Sequence, residues 1–113
     1  MGWPLDLSQS GYTQWRHDLA ALSRCANVRI EIAAIECVFG MGWCRENVAP
    51  WVLSVIEMFG PGRCMFGSHM PIASLSVGFE RLYDSYQEIV AGFSAVERDD
   101  MFRGTAAAWF KPR

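Results

Sequence analysis

The segment Phe59-Gly60-Pro61-Gly62-Arg63-Cys64-Met65-Phe66-Gly67-Ser68-His69-Met70-Pro71 constrains the fold more than any other part of the chain. Gly-Pro-Gly cannot continue a helix, because proline lacks the N–H and glycine is entropically costly there. Cys64-Met65-Phe66 is an uninterrupted apolar run, the pattern of a short strand covered on both faces. The segment therefore reads as a helix end, a tight turn, a buried strand and a loop. Gly67-Ser68-His69 sets two polar side chains just past the strand's C-terminal end, where parallel α/β folds place ligands and chemistry.

Helices and one further strand surround this segment. Ser8 or Ser10 caps a predicted helix that runs to about Cys25 and is closed by Asn27, with Tyr12, Trp15, Leu19 and Leu22 on one face. Val28 to Ile35 begins with alternating apolar and charged residues and reads as a strand, with Val28, Ile30 and Ile32 on one face. Glu36 and Cys37 lie at its C-terminal end, and Val38 to Trp43 reads as a loop. A second helix starts near Glu46 or Pro50, with the proline in its first turn, and runs to Phe59. A third covers about Val77 to Ala91, with Phe79, Leu82, Tyr83, Tyr86, Val90 and Phe93 marking its buried face. Ser94-Ala95-Val96-Glu97 is a capping box opening a short helix that Gly104 ends, and Thr105 caps a last turn. Lys111-Pro112-Arg113 is a polar terminus.

Strands alternating with helices imply parallel strands joined by crossovers. Two strands, however, leave an open edge on each side and too little sheet for the helices to cover. The pattern is locally consistent and globally incomplete, which points to a fragment of a larger α/β fold. Composition agrees. The 113 residues are 51% hydrophobic and only 19% charged, so the chain is globular, and five Trp, seven Phe and three Tyr are many to hide at this size. Either the core is well filled or a partner covers part of it.

Several function classes are excluded. The net charge is −2 and the ten basic residues are scattered, so no stripe exists for a nucleic-acid backbone. No apolar run approaches the roughly twenty residues of a membrane span. Met1 to Asp6 lacks a basic region followed by an apolar stretch, so no signal peptide is expected and a cytoplasmic location is. Cys25, Cys37, Cys44 and Cys64 form no Cys-x-x-Cys pair, and no histidine sits at finger spacing. They read as reduced cysteines, two of them interior, and not as a zinc ribbon.

The Phe59–Pro71 segment resembles strand eight of the amidohydrolase-related hydrolases, the TIM-barrel branch that includes lactonases, commonly written Phe-Gly-Pro-x-Arg-Cys-Met-Phe-Gly-Ser-Asn/Asp-aromatic-Pro. The resemblance extends over nearly the whole chain. Gly2-Trp3-Pro4-Leu5-Asp6 is similar to the segment after barrel strand six, and Trp15-Arg16 with Leu19-Ala20-Ala21-Leu22 to the helix that comes next. Asn27-Val28 through Ile35 is similar to strand seven, Asn-Val-x-x-Lys-Ile-Ser-Gly. Pro50 to Leu53 and Ile56 to Gly60 resemble the next helix and its exit, and Glu97-Arg98 through Ala107 the family's closing segment. The resemblance implies a single partial domain over residues 1–113, the C-terminal fragment of a (β/α)8 barrel carrying strands seven and eight. It implies a hydrolase in which water attacks a lactone, ester or amide carbonyl of a small carboxylated substrate, with activity only in a complete barrel. The alternative is a catalytically inactive truncated fragment, or a remnant that serves association.

The family's divalent metal, of zinc or manganese type, is held by a His-x-His pair on strand one, His residues from strands five and six, and an Asp ending strand eight. The first three sites lie upstream of Met1, and the last corresponds to His69. This sequence also has Glu31 where Lys is common, Ala33-Ala34 for Ser-Gly and Thr105 for Asn. The partners implied are a small-molecule substrate in the complete fold and either copies of this chain or an upstream half-barrel.

His69 is the first candidate, catalytic and metal-binding, since imidazole ligates metals and titrates near neutrality. It cannot supply the negative charge of the carboxylate it replaces. Its competing reading is a hydrogen-bonded loop histidine. Glu36 is the second catalytic candidate: on the same rim as His69 it forms a base with its orienter, or a pair of metal ligands. Its competing reading is a solvated carboxylate at the start of a loop. Ser68 and His69 are not a dyad, because adjacent residues on an extended segment point opposite ways. Cys37 and Cys44 read as packing residues, His17 as a surface residue, and the Trp and Tyr positions as core.

Overall fold

A computed structural model of the chain describes residues 1–111; the predicted polar terminus at Pro112 and Arg113 lies outside the described residues. The architecture is mostly helical around a two-stranded parallel sheet. Helix α1 spans Gln9–Ser23, strand β1 Ile30–Ile32, the short helix α2 Ile35–Phe39, and α3 Arg45–Phe59. Strand β2 spans Cys64–Phe66, and α4 Phe79–Ile89. Helix α5, Ala95–Asp99, runs through a π-helical turn, Asp100–Gly104, into α6, Thr105–Phe110. β1 pairs with β2 in parallel, Ile30 opposite Cys64 and Ile32 opposite Phe66, and the Gly67 N–H extends the ladder to the Ile32 carbonyl.

One side of this sheet carries the core. Ile30, Ile32 and Cys64 alternate toward α3, whose Val48, Val52, Val55 and Ile56 are fully or almost fully buried. Trp15 of α1 meets Trp51 of α3 with ring centroids 4.7 Å apart, and Tyr12 meets the same ring edge-on at 4.9 Å. Arg63 fastens the helix ends: its guanidinium donates to the carbonyls of Phe59, Cys25 and Ser23 at 2.9, 3.2 and 2.8 Å. Ser23 and Phe59 end α1 and α3, where a helix leaves carbonyls unpaired. The β1 edge away from β2 is met by Met1, whose amine donates to the Glu31 carbonyl at 3.0 Å.

Several expectations are corrected. α1 ends at Ser23, before Asn27. β1 is only three residues long, because Ala34 adopts a left-handed conformation (φ 68°) that turns the chain out of the strand. The expected loop after it holds α2 and a 3-10 turn at Gly40–Gly42. Pro50 is the sixth residue of α3, not in its first turn; the Glu46 carbonyl it leaves without a helical donor belongs to an exposed residue that water can serve. Gly104 does not stop its helix. Its φ and ψ are helical, and buried Met101 and Thr105 hold the segment against the fold, the Thr105 hydroxyl 3.4 Å from the Pro61 carbonyl. Phe79 and Leu22 are about half exposed, at 54% and 49%, although their helical spacing puts them beside core residues.

The capping box stands as expected. Ser94 Oγ accepts from the Glu97 N–H at 3.2 Å, and Glu97 Oε2 accepts from the Ser94 N–H at 2.9 Å. Ser8 caps α1 in the same sense. Cys64 is buried, Cys37 and Cys44 are half-buried and Cys25 is exposed. No helix among the described residues is long and apolar enough to cross a membrane.

Candidate functional site

Both strands of a parallel pair end on the same rim, so the segments leaving them meet there. After β1, the left-handed Ala34 swings the chain into α2 and carries Glu36 into the interior, where its side chain has no exposed surface. After β2, His69 also adopts a left-handed backbone (φ 52°), which turns its ring back toward the end of β1. The two side chains meet: His69 Nδ1 lies 3.4 Å from Glu36 Oε1. Cys37 completes a triangle, its Sγ 3.4 Å from His69 Nδ1 and 3.6 Å from Glu36 Oε1. The edge of the Trp3 ring covers His69, with centroids 6.1 Å apart.

Burial separates the roles these groups can take. The His69 side chain is one-quarter exposed, so its ring joins a buried carboxylate to solvent. Glu36 Oε2 is buried with no hydrogen-bond partner among the described residues. Leaving such an oxygen unpaired costs about 1–3 kcal/mol. Burial, reinforced by the Glu36 charge and opposed by a hydrogen bond to Ser76, pushes the Cys37 thiol up. It is therefore a thiol at neutral pH and not an activated nucleophile. The Tyr86 hydroxyl is a second buried group without a partner, and burial followed by the Glu36 charge holds it strongly toward its neutral form.

The residues singled out in the sequence are distributed unevenly around this rim. Glu36 and His69 are brought together. Ser68 stays apart: its hydroxyl accepts from the Met70 N–H at 3.3 Å, and no hydrogen bond joins it to His69 among the described residues. His17 is exposed beside Asp18. Glu31 points to the sheet face opposite Ile30 and Ile32, and its carboxylate fills the space where a side chain at Gly67 would go. Glycine at 67 thus lets a charge approach the β2 exit. Sequence reasoning passed over the contact Cys37 makes with His69; the signal available was its place one residue after Glu36.

A divalent metal belongs to the family that the sequence resembles, and the residues present fit one in part. A carboxylate with a free buried oxygen, an imidazole and a thiol converge, an O, N and S donor set suited to zinc-type ions. A concavity of about 670 Å³ between the N-terminal segment and α1 is lined by Leu5, Asp6, Trp15 and Leu22, and none of the three rim residues reaches it.

Comparison with known proteins gives one consistent picture. The family model for amidohydrolases matches residues 1–111. The chain is 30% identical over 105 residues to the uncharacterized protein y4mH of Sinorhizobium fredii (strain NBRC 101917 / NGR234), a match that covers 90% of this chain and 34% of that protein. It is similar to an amidohydrolase from Burkholderia multivorans solved with bound HEPES, with a TM-score of 0.89 at 22% identity over 99% of this chain and 42% of that one. The same enzyme solved with bound zinc gives a TM-score of 0.87 at 21% identity, over 97% and 41%. The chain thus spans about a third of the length of the curated relative it matches. With the whole described chain inside the family match, the chain belongs to the amidohydrolase family.

Proposed function

We propose that residues 1–113 form one partial domain carrying strands seven and eight of a (β/α)8 amidohydrolase barrel, with β1 as strand seven and β2 as strand eight. Its chemistry is attack of water on a lactone, ester or amide carbonyl of a small carboxylated compound. The observation that carries this reading is the 3.4 Å approach of Glu36 to His69 at the shared C-terminal rim of two parallel strands, the rim that bears chemistry in such barrels. His69, the more exposed partner, takes a proton from water at Nε2 while Nδ1 stays on Glu36. Glu36 stabilises the imidazolium that forms and supplies the negative charge that a histidine at the end of strand eight cannot. In a metal-bound form, Glu36 and His69 would instead be ligands of a zinc- or manganese-type ion, which would supply Lewis acidity and an acidified water.

Upstream strands complete the rim, so activity belongs to this chain together with a half-barrel partner. The test is hydrolysis of a panel of small lactones by the chain co-expressed with the upstream two-thirds of the Sinorhizobium fredii relative. Turnover that falls at least about 100-fold in His69→Ala supports the reading; turnover indifferent to His69 contradicts it. A second reading, an inactive remnant that associates, is favoured by the apolar rim loops, where Met41, Ile72 and Leu75 stand exposed. It predicts a stable assembly without hydrolysis in any combination.

A further inference from the structure

The Glu36–His69 contact is long for a hydrogen bond, the two Cys37 contacts have ordinary thiol hydrogen-bond lengths, and all three edges of the triangle also suit a shared ion. An N–H···O bond centres near 2.9 Å and weakens well before 3.4 Å. Around a tetrahedral zinc-type ion, with N and O ligands at about 2.0–2.1 Å and S at about 2.3 Å, the ligands lie about 3.3–3.6 Å from one another. The observed edges are 3.4 Å for Nδ1 to Oε1, 3.4 Å for Sγ to Nδ1 and 3.6 Å for Sγ to Oε1. Independently, Glu36 is fully buried and, while its Oε1 faces His69 and Cys37, its Oε2 has no partner among the described residues. Two backbone turns in left-handed conformation, at Ala34 and His69, bring these groups together. That is a costly arrangement for residues that would otherwise only pack.

We propose that Glu36, Cys37 and His69 form a three-ligand site for a zinc-class divalent ion, built wholly from this chain. Binding exchanges the thiol proton, released to solvent, for a sulfur–metal bond. Glu36 Oε1 and His69 Nδ1 supply the other two ligands, and the fourth tetrahedral position stays open, the pattern of catalytic rather than structural zinc. The thiolate makes the choice of ion: it favours zinc and cobalt over magnesium and manganese. The inference rests on the placement of Glu36 and His69 under the proposed function, and adds to it the ligand that selects the metal.

Cobalt(II) titration of the purified chain tests it, because a cysteine ligand gives a sulfur-to-cobalt charge-transfer band in the near ultraviolet. The result expected is saturation at one cobalt per chain with that band and with tetrahedral visible bands. Zinc should displace the cobalt, while a large excess of magnesium should not. Cys37→Ser should abolish the band, and Cys25→Ser should leave it intact. Glu36→Gln and His69→Ala should weaken binding at least about tenfold, with circular dichroism reporting that each variant is folded. Cobalt bound without the band, a band that survives Cys37→Ser, or no binding by the folded chain overturns the proposal. Lactone hydrolysis without the band would sink this site and leave the proposed function standing; the band without hydrolysis in any assembly would do the reverse.

Discussion

Between α1 and α3 the buried polar atoms find partners: Ser54 Oγ accepts from Arg16 at 2.9 Å and is shared with the Tyr12 hydroxyl, and Trp15 Nε1 donates to the Met1 carbonyl at 3.1 Å. At the rim where the strands end, the reverse holds. Glu36 keeps a buried oxygen without a partner, and Ala34 and His69 stand in left-handed backbone conformations that cost about 1–2 kcal/mol each for residues with a Cβ. The first region is arranged for packing and the second holds polar groups in place at a cost. The difference teaches where to look for function: strain and unpaired polarity concentrate at sites that something else, a ligand or a reaction, makes worthwhile. Replacing a side chain should therefore destabilise the first region and stabilise the second.

The largest effect belongs to the packed side. Trp51→Ala removes the ring that joins Tyr12 and Trp15, and should cost about 3–5 kcal/mol, read from urea unfolding at fixed chain concentration. A loss under about 1 kcal/mol would mean that the aromatic cluster is loosely packed and that the contrast fails. Alkaline pH tests the same side by another route. Burial against α3 pushes the Cys64 thiol up to about 12 from an ordinary 9.0, only partly opposed by the Arg63 charge. The folded chain then holds a proton that the unfolded chain releases, so this contribution is complete below pH 9.0 and is lost as pH rises toward about 12. The slope reaches about 1.4 kcal/mol per pH unit at most, and Cys64→Ala should flatten it. A profile unchanged by that substitution would place the thiol in contact with water.

At the rim the sign should reverse. Glu36→Leu removes a buried oxygen that has no partner, while the one-quarter-exposed His69 ring can turn to water, and should raise stability by about 1–2 kcal/mol, while eliminating the response to zinc. Destabilisation of that size would make Glu36 a structural residue. Smallest of all, Ala34→Gly relieves a left-handed alanine against the added flexibility of glycine, a net gain of about 0.5–1 kcal/mol. A loss on that substitution would show that the turn into α2 is unstrained.

Much of this division was legible in the sequence because its causes are local. The Ser94–Glu97 capping box, the Ser8 cap and the Cys64–Phe66 strand depend on neighbouring residues alone, and all three are present in the structure. Glu36 and His69 could be placed on one rim because parallel strands put their C-terminal ends side by side. What stayed hidden depends on contacts far along the chain. Pro50 sits inside α3, and the helix passes through Gly104, because tertiary packing of Trp51 and Met101 outweighs the local preference to stop. The length of β1 turns on the conformation of Ala34, which an alanine does not announce. Cys37 looked like a packing residue because its meeting with His69 spans 32 positions in the chain.

Beneath both regions lies the claim that this sheet is incomplete. Two strands leave edges to be paired, and Leu5, Met41, Ile72, Leu75 and Phe110 leave apolar surface to be covered. Light scattering on the purified chain, with near-ultraviolet circular dichroism on the same sample, tests this most directly. The account predicts a mass above the 12.7 kDa of a single chain, or a loosely packed species that orders when an upstream half-barrel is added. A monodisperse 12.7 kDa monomer with ordered aromatic signals and a cooperative melt would contradict it.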